Sequence, residues 1–318
     1  METLHLNAHS QKDIHRAAEL LRHGELIAIP TETVYGLAAR YDDDTAIARI
    51  YRVKGRPQDN PLIVHCASVE DVIHVADNVP PVAWALLERF APGPLTLILH
   101  RKQTVSPIVS AGLPTVAVRI PALDVARQLI AEVGVPLAAP SANRSGRPSP
   151  TCAEHVLADL GGKIAAVLDA GPCSIGIEST IVMVTDQIAV VRPGSITPQD
   201  LAEVLGSEPP VLTPDRPLAP GTKYRHYAPR IPVILIESVM QLPAGDEQNI
   251  VVLTTQRPTC NADIRPLDRR TLYEEFRRAE HEERTAIYVL VTDDVRADVA
   301  LMNRLDKAAT SSIKSSTR

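Results

Sequence analysis

The feature that most constrains the fold is a regular alternation of helix-like stretches and short apolar runs along residues 10–205. Ser10 can cap a first helix, and Gly24 can end that helix before the apolar run 26–29. Further helices are predicted at 44–53, 70–77, 81–90, 124–133, 152–160 and 198–205, and further strands at 62–65, 95–99, 115–120, 135–139, 164–168, 179–184 and 188–192. This alternation predicts an α/β fold with a twisted, mostly open mixed sheet flanked by helices.

Two helix starts are indicated by a hydroxyl residue directly before a proline. Ser149-Pro150 and Thr197-Pro198 each place a capping oxygen ahead of a residue that suits the first helical position. Gly206 predicts the end of the second of these helices.

Residues 207–230 are rich in proline and lack apolar periodicity, which indicates a semi-extended linker. Beyond the linker, a second α/β unit is predicted, with strands at 233–236, 250–253 and 286–291, helices near 270–281 and 296–309, and a frayed tail at 311–318. We therefore expect a first domain at 1–206, a linker at 207–230 and a small α/β domain at 231–318.

The composition excludes several classes of protein. A net charge of -5 argues against a protein that coats nucleic acid or acidic membranes with its general surface. The four cysteines have no C-x-x-C spacing, so neither a zinc cluster nor a disulfide framework is indicated. The first residues do not resemble a secretory signal, and no run approaches the ~20 apolar residues of a membrane helix. A cytoplasmic protein without membrane contact is the expectation.

Two cations two residues apart, Lys54 and Arg56, precede the predicted strand at 62–65. An ammonium and a planar guanidinium so placed are typical of a site that binds phosphate oxygens. The alternative is a solvated helix end, where cations are favoured by the helix dipole.

Two polar segments follow predicted strands. Residues 31–35 contain two threonines, a glutamate and a tyrosine after the run 26–29, and residues 139–149 contain hydroxyl, amide and basic side chains but no acid. Loops that leave the carboxyl ends of strands are the usual place for ligands in open α/β sheets, and amides with hydroxyls can hold a phosphate. For both segments the alternative is an ordinary polar turn.

Arg119 lies within an apolar run, where an unpaired charge is costly, so it requires an anionic partner. That partner is either a structural carboxylate or the carboxylate of a substrate, and the sequence leaves both open.

Ser179 enters one predicted strand, while Arg192 and His65 each end another, consistent with one shared cleft. A lone histidine such as His65 is more often structural.

The linker contains a cluster of aromatic and basic residues at 221–229, in a chain with only 3% aromatic residues. A passive spacer does not need such residues. The cluster therefore indicates a segment that docks over the site as a lid and excludes water.

These segments, in this order, resemble the YrdC family. The resemblance rests on PTETVYGL, KGRP with NPL, APGPLTLIL, TVAVRIP, APSANRSGRPSPT, IESTIV and VRPGSIT, and covers roughly residues 10–205. APGTKYRHYAP and the looser match ending in LMNRLDKAAT are similar to the longer, two-domain members, which carry a smaller Rossmann-like C-terminal domain. The resemblance implies a YrdC-like catalytic domain at 1–206.

The resemblance also implies an activity. Such enzymes combine L-threonine, bicarbonate and ATP into threonylcarbamoyl-adenylate and pyrophosphate, for modification of the tRNA adenosine beside the anticodon. The substrates would be these three small molecules, with Mg²⁺ accompanying the nucleotide and no protein metal site. A downstream tRNA threonylcarbamoyltransferase complex would be the partner, and stable tRNA binding would not be required.

By resemblance, the candidate residues fall into three sets, and Lys54 with Arg56 belongs to two of them. Lys54 and Arg56 would be catalytic. Threonine would be held by Thr33, His65, Arg119, Ala139 and Ser179. ATP or the adenylate would be held by Lys54, Arg56, Asn60, Thr115, Ser141, Asn143, Ser149, Arg192 and Tyr227.

Two other functions are compatible with parts of the sequence. An RNA-binding module with a basic cleft is disfavoured by the negative charge and the few aromatic residues. A carbamoyl-adenylate enzyme with a substrate other than threonine, as in the related domain of hydrogenase-maturation proteins, would be expected to carry acylphosphatase and zinc-finger portions. Motifs of zinc peptidases, serine hydrolases and dinucleotide-binding folds are absent from the chain.

Overall fold

A computed structural model describes residues 2–212, 217–220, 226–243, 245 and 247–310. The chain divides into two compact units, Met1–Ser145 with Ser149–Lys223, and Gly146–Pro148 with Tyr224–Arg318. The short piece 146–148 thus belongs to the second unit. The boundaries predicted at 206 and 230 stay a prediction. Residues 221–225 of the expected lid and the tail expected at 311–318 lie outside the described residues.

The first unit is built on a ten-stranded mixed sheet with the order β1-β8-β2-β3-β7-β4-β6-β5-β9-β10. Its elements are β1 (Leu4–Asn7), α1 (Gln11–Arg22), β2 (Ile27–Ile29), β3 (Gly36–Arg40), α2 (Asp44–Lys54), β4 (Ile63–His65), α3 (Val72–Val75), α4 (Pro81–Phe90), β5 (Leu95–His100), β6 (Thr115–Arg119), α5 (Asp124–Val133), β7 (Leu137–Ala138), α6 (Ala153–Leu160), β8 (Ala166–Asp169), β9 (Thr180–Val184), β10 (Ile188–Arg192) and α7 (Pro198–Leu205). The prediction of a mixed α/β sheet is confirmed.

Side-chain caps fix several helix starts. Ser10 accepts a hydrogen bond from the Asp13 amide at 3.3 Å, and Thr197 with Asp200 forms a capping box at the start of α7. Gly206 follows α7 in the left-handed region. The cap predicted at Ser149 is wrong, because α6 begins at Ala153 and the Ser149 hydroxyl instead donates to a buried carboxylate.

Among the described residues of the first unit, two large cores and one small cluster cover the sheet. Helices α2, α4, α6 and α7 contribute to the largest core, and α1 and α5 contribute to a second. The small cluster lies on β4, β5, β6, β9 and β10 and includes Ala219 of the segment 217–220. Ile63, Ile98 and Ala117 of this cluster lie two positions from His65, Thr96 and Arg119 on their strands. Since side chains alternate along a strand, these polar residues share the face of the small cluster.

The second unit contains a four-stranded sheet with the order β11-β14-β12-β13, in which every pairing is parallel. Its strands are β11 (Val233–Ile236), β12 (Ile250–Thr254), β13 (Asp263–Pro266) and β14 (Ala286–Leu290), and its α-helices are α8 (Leu272–His281), α9 (Asp293–Ala297) and α10 (Val299–Ala308). The single helix predicted at 296–309 is wrong, because Asp298 leaves helical geometry and caps α10 by accepting from the Leu301 amide. The smaller Rossmann-like α/β domain is confirmed.

None of the helices in the described part of the chain has both the length and the apolar character needed to span a bilayer. The four cysteines are free thiols.

Candidate active site

One end of the candidate cleft is built around Arg119, the last residue of β6. His65 of β4 and Thr96 of β5 stand directly beside Arg119 in the strand register. The Arg119 guanidinium donates to Glu32 Oε1 at 2.6 Å and to Thr33 Oγ1 at 2.8 Å. The structure therefore provides a structural carboxylate for this buried charge, one of the two partners that the sequence left open.

The loop that supplies Glu32 and Thr33 leaves the end of β2 as a compact turn. The Thr31 hydroxyl accepts from the amides of Thr33 and Val34 at 3.2 Å and donates to the Val34 carbonyl at 2.7 Å. Its oxygen also lies 2.9 Å from the Thr33 hydroxyl. Side chains 31 and 33 are thus fixed by local hydrogen bonds, as expected for a polar loop at a strand end.

His65 is a neutral imidazole beside this cluster. Burial, followed by the neighbouring Arg119 charge, lowers the pKa of His65 from 6.5 to about 3. Within the described residues, its Nδ1 atom is buried and has no hydrogen-bond partner. A neutral ring with an unpaired nitrogen can contact a polar substrate without adding charge to the pocket.

We expect stability to decrease when the pH is lowered from 7 to 5, with about 2 kcal/mol of the loss due to His65. The folded-state pKa of His65 lies below its unfolded value, so the unfolded chain binds more protons between these two values. The loss in the free energy of unfolding begins as the pH falls below the unfolded-state pKa of His65, and it grows until the folded-state pKa is reached. Urea unfolding of the wild type and of His65→Gln at both pH values measures it.

The control for this prediction is His9→Gln, since His9 is an exposed histidine. We expect the wild type and His9→Gln to lose similar stability between pH 7 and 5, and His65→Gln to lose about 2 kcal/mol less. Equal pH dependence in all three proteins would contradict the account.

The second part of the cleft is the loop after β7, which Lys54 holds from the end of α2. The Lys54 ammonium donates to the Ser141 carbonyl at 2.5 Å and to the Asn143 carbonyl, and lies 3.4 Å from Asn143 Oδ1. The Ser141 hydroxyl donates to the same Oδ1 at 2.5 Å. Burial, followed by the Arg56 charge, lowers the pKa of Lys54 well below its usual value, whereas Asp159 opposes the shift. Lys54 therefore connects the two segments that the sequence predicted to bind phosphate.

Arg56 fixes the segment that leads into β4. Its Nε donates to the Asn60 carbonyl at 3.1 Å and its Nη2 to the Pro61 carbonyl at 2.9 Å, while the Tyr51 hydroxyl also donates to the Asn60 carbonyl. In the described part of the chain, Asn60 Oδ1 is buried and accepts no hydrogen bond. A buried, unpaired acceptor at a predicted ATP site is suited to a donor on the ligand.

Ser179 connects the Arg119 end of the cleft to Arg192. Its hydroxyl oxygen lies 2.7 Å from the Thr96 hydroxyl, and its carbonyl accepts from Arg192 Nη2 at 2.9 Å. Arg192 Nη1 donates to the Pro220 carbonyl at 2.8 Å. The described linker residues 217–220 are thereby attached to the first unit beside the small apolar cluster.

The other predicted residues lie at several positions. Thr115 is on the same strand face as Arg119, at the opposite end of β6, where a cavity of about 500 Å³ is also lined by Met183 and Leu218. Ala139 follows β7 and is buried, and the Ser149 hydroxyl donates to Glu178 at 2.5 Å.

Tyr227 belongs to the second unit, where its ring lies 5.5 Å from the Tyr273 ring and 5.7 Å from the Arg304 guanidinium. Its role in binding ATP stays a prediction.

Sequence reasoning missed two contributors to the cleft. Thr96 was part of a predicted strand, and a threonine in a strand carries no signal beyond β-propensity. Gly93 contributes only its carbonyl, which accepts from Arg119 Nε at 3.3 Å, and a backbone acceptor has no sequence signature.

Among the described residues, no group of three or more His, Cys, Asp or Glu side chains is placed to hold a metal ion. The donor set instead offers hydroxyls, amides and cations, which suit a nucleotide that arrives with its own ion.

Comparison with known proteins covers nearly the whole chain. Residues 19–194 match the family model for Sua5, YciO and YrdC proteins, described as telomere recombination, and residues 196–310 match the model for the threonylcarbamoyl-AMP synthase C-terminal domain. The threonylcarbamoyl-AMP synthase of Bacillus subtilis is 42% identical over 93% of this chain and 92% of its own length. That of Pyrococcus abyssi is 40% identical over 92% of this chain and 93% of its own length. The crystal structure of P. abyssi Sua5 complexed with L-threonine superposes with a TM-score of 0.89 at 36% identity, covering 97% of this chain and 98% of that chain.

Proposed function

The chain belongs to the Sua5/YrdC family of threonylcarbamoyl-AMP synthases, and we propose that its first unit joins L-threonine, bicarbonate and ATP into threonylcarbamoyl-adenylate and pyrophosphate. The observation that carries the proposal is the buried Arg119, held by Glu32 and Thr33, in a unit where the buried Lys54 also holds the polar loop of Ser141 and Asn143. A relative of the same architecture has been solved with L-threonine, which supports an amino-acid site in this fold.

The chemistry requires charge control and positioning more than a protein nucleophile. The threonine nitrogen bonds to the carbon of bicarbonate, water leaves, and a carbamate is formed. A carbamate oxygen then attacks the α-phosphorus of ATP, the bond to the bridging oxygen breaks, and pyrophosphate leaves. Since the carbamate is itself the nucleophile, the protein has to align it and neutralise the phosphate charge.

The residues divide between the two reactants. Arg119 would bind the threonine carboxylate, assisted by Thr33, His65, Ala139 and Ser179. The nucleotide would be bound by Asn60, Thr115, Ser141, Asn143, Ser149, Arg192 and Tyr227. Lys54 and Arg56 would stabilise the negative charge that develops on the phosphates, both directly and by holding the loops they bond.

The product is a mixed anhydride of a carbamate and a phosphate, which water can hydrolyse. A downstream transferase acting on a tRNA adenosine would therefore have to receive it, and the proposal includes such a transferase complex as partner. Magnesium would enter with ATP, and the reaction would take place in the cytoplasm, where ATP and tRNA are present.

Mass spectrometry of the product tests the proposal. Purified protein given ATP, Mg²⁺, L-threonine and bicarbonate is expected to yield threonylcarbamoyl-AMP and one pyrophosphate per product molecule. L-serine and L-valine in place of threonine test the alternative of another substrate. Pyrophosphate release that does not depend on threonine, from a folded sample, would contradict the proposal.

A further inference from the structure

Glu32 uses both carboxylate oxygens to connect separate parts of the first unit. Its Oε1 accepts from Arg119 Nη2 at 2.6 Å, and its Oε2 accepts from the Ala122 amide at 3.0 Å. The side chain is 8% exposed and that of Arg119 is 4% exposed, so little water screens the pair. Glu32 thus fixes one edge of the guanidinium to the backbone that follows β6.

Three of the five N–H groups of Arg119 are engaged. Nε donates to the Gly93 carbonyl, Nη1 to Thr33 Oγ1 and Nη2 to Glu32 Oε1. Within the described residues these are its only hydrogen bonds, which leaves one N–H on each terminal nitrogen. Two such N–H groups are the pair that a carboxylate accepts in a bidentate contact.

The charges of the pocket support the same role. Glu32 neutralises Arg119 before any substrate enters, and His65 adds no charge because it is neutral near pH 7. An amino-acid zwitterion also has no net charge, so it can bind beside this buried pair without leaving an excess charge there. Without the Glu32 carboxylate, the guanidinium would lose its counter-charge and one of its three hydrogen bonds, and only Gly93 and Thr33 would orient it.

We propose that Glu32 is a positioning residue for threonine: it orients Arg119 so that the two remaining N–H groups grip the threonine carboxylate. This inference rests on the proposed function, since it assigns Arg119 to the amino-acid substrate. Beyond that function, the inference assigns to Glu32 an effect on threonine affinity that acts through Arg119.

The test is steady-state kinetics of Glu32→Gln with threonine and ATP varied separately. In the amide, one of the two oxygens that accept from Arg119 and Ala122 is replaced by an NH2 donor, so one of these bonds and the counter-charge are lost. We expect the KM for threonine to rise roughly 10–100-fold and the KM for ATP to change less than about threefold. Glu32→Asp, which keeps the charge on a shorter side chain, is expected to lie between Gln and wild type.

Glu275→Gln is the matched control, because Glu275 accepts from the buried Arg265 at 3.1 Å within the second unit. An unchanged KM for threonine is expected there, although a buried arginine again loses a carboxylate partner. An unchanged KM for threonine in Glu32→Gln, or an equal rise for both substrates, would overturn the inference. If the Gln variant does not fold, Glu32→Asp decides by the same criterion.

Calorimetric titration of threonine into the protein without ATP separates this inference from the proposed function. If the wild type binds threonine but makes no threonylcarbamoyl-AMP, the proposed function fails while the Kd values still test Glu32. If the wild type makes the product and Glu32→Gln binds threonine as tightly as wild type, only the positioning inference fails.

Discussion

Replacing Lys54 with alanine is expected to lower the rate of threonylcarbamoyl-AMP formation roughly 10²–10³-fold. The ammonium donates to the carbonyls of Ser141 and Asn143, and it thereby joins the end of α2 to the loop after β7. Its removal deletes a cation from the proposed phosphate site and leaves buried carbonyl oxygens without their donor. The measurement is initial-rate release of pyrophosphate together with mass spectrometry of the product.

Two further substitutions separate charge from shape at this position. Lys54→Met retains most of the length without the charge and is expected to be as inactive as Lys54→Ala. Lys54→Arg retains the charge, but a longer, planar guanidinium cannot replace a single ammonium nitrogen that donates to both the Ser141 and Asn143 carbonyls, so it is also expected to fail.

Lys12→Ala is the matched control, because Lys12 is an exposed lysine of α1. It should keep the wild-type rate within about twofold, since surface substitutions of this kind are usually near neutral. A folded Lys54→Met variant with a rate close to that of wild type would show that the ammonium is dispensable.

The sequence predicted best those elements whose apolar periodicity and flanking residues match the burial they have in the fold. Helices α4, α5 and α7 have the predicted bounds, since apolar periodicity and flanking residues indicate the same limits. Strands β1, β3 and β13 were missed. β1 and β13 lie at sheet edges and bury few side chains, and β3 (Gly36–Arg40) is built from residues of low strand propensity. Pairing with neighbouring strands defines them, and that pairing is not encoded locally.

The candidate site shows the same division. The apolar run around Arg119 predicted that the charge needs an anionic partner, but Glu32 lies 87 residues away in sequence, so only the fold identifies it. Lys54 was predicted to bind an anion, whereas the structure shows it bonded to carbonyls 87 and 89 residues away. Every residue has a carbonyl, so such partners leave no trace in the sequence. The sequence thus predicted that Arg119 has an anionic partner, but it could not predict which residues Arg119 and Lys54 contact.

Gly194→Ala is expected to destabilise the protein by about 3 kcal/mol, at the upper end of the range for overpacking. A Cβ atom at this position would lie 2.3 Å from the Thr180 amide nitrogen and 2.7 Å from the Ser179 carbonyl carbon. Both atoms belong to backbone, so they cannot rotate away as a side chain can. The constraint is one of space, because Gly194 is not among the glycines in the left-handed region.

The same substitution should also lower activity roughly 100-fold in protein that remains folded, because displacement by about 1 Å can cost that much at an active site. Ser179 would have to move, and with it the contacts of its carbonyl to Arg192 and of its hydroxyl to Thr96. Urea unfolding and product formation are the two measurements.

Gly206→Asn is the control. Gly206 has a positive φ and nothing lies within 4 Å of a Cβ added there, and Asn tolerates that conformation. Gly206→Asn is expected to stay close to wild type, because nothing lies near its added Cβ atom. Equal losses of stability and activity in the two variants would show that close backbone contact at Gly194 is not the cause.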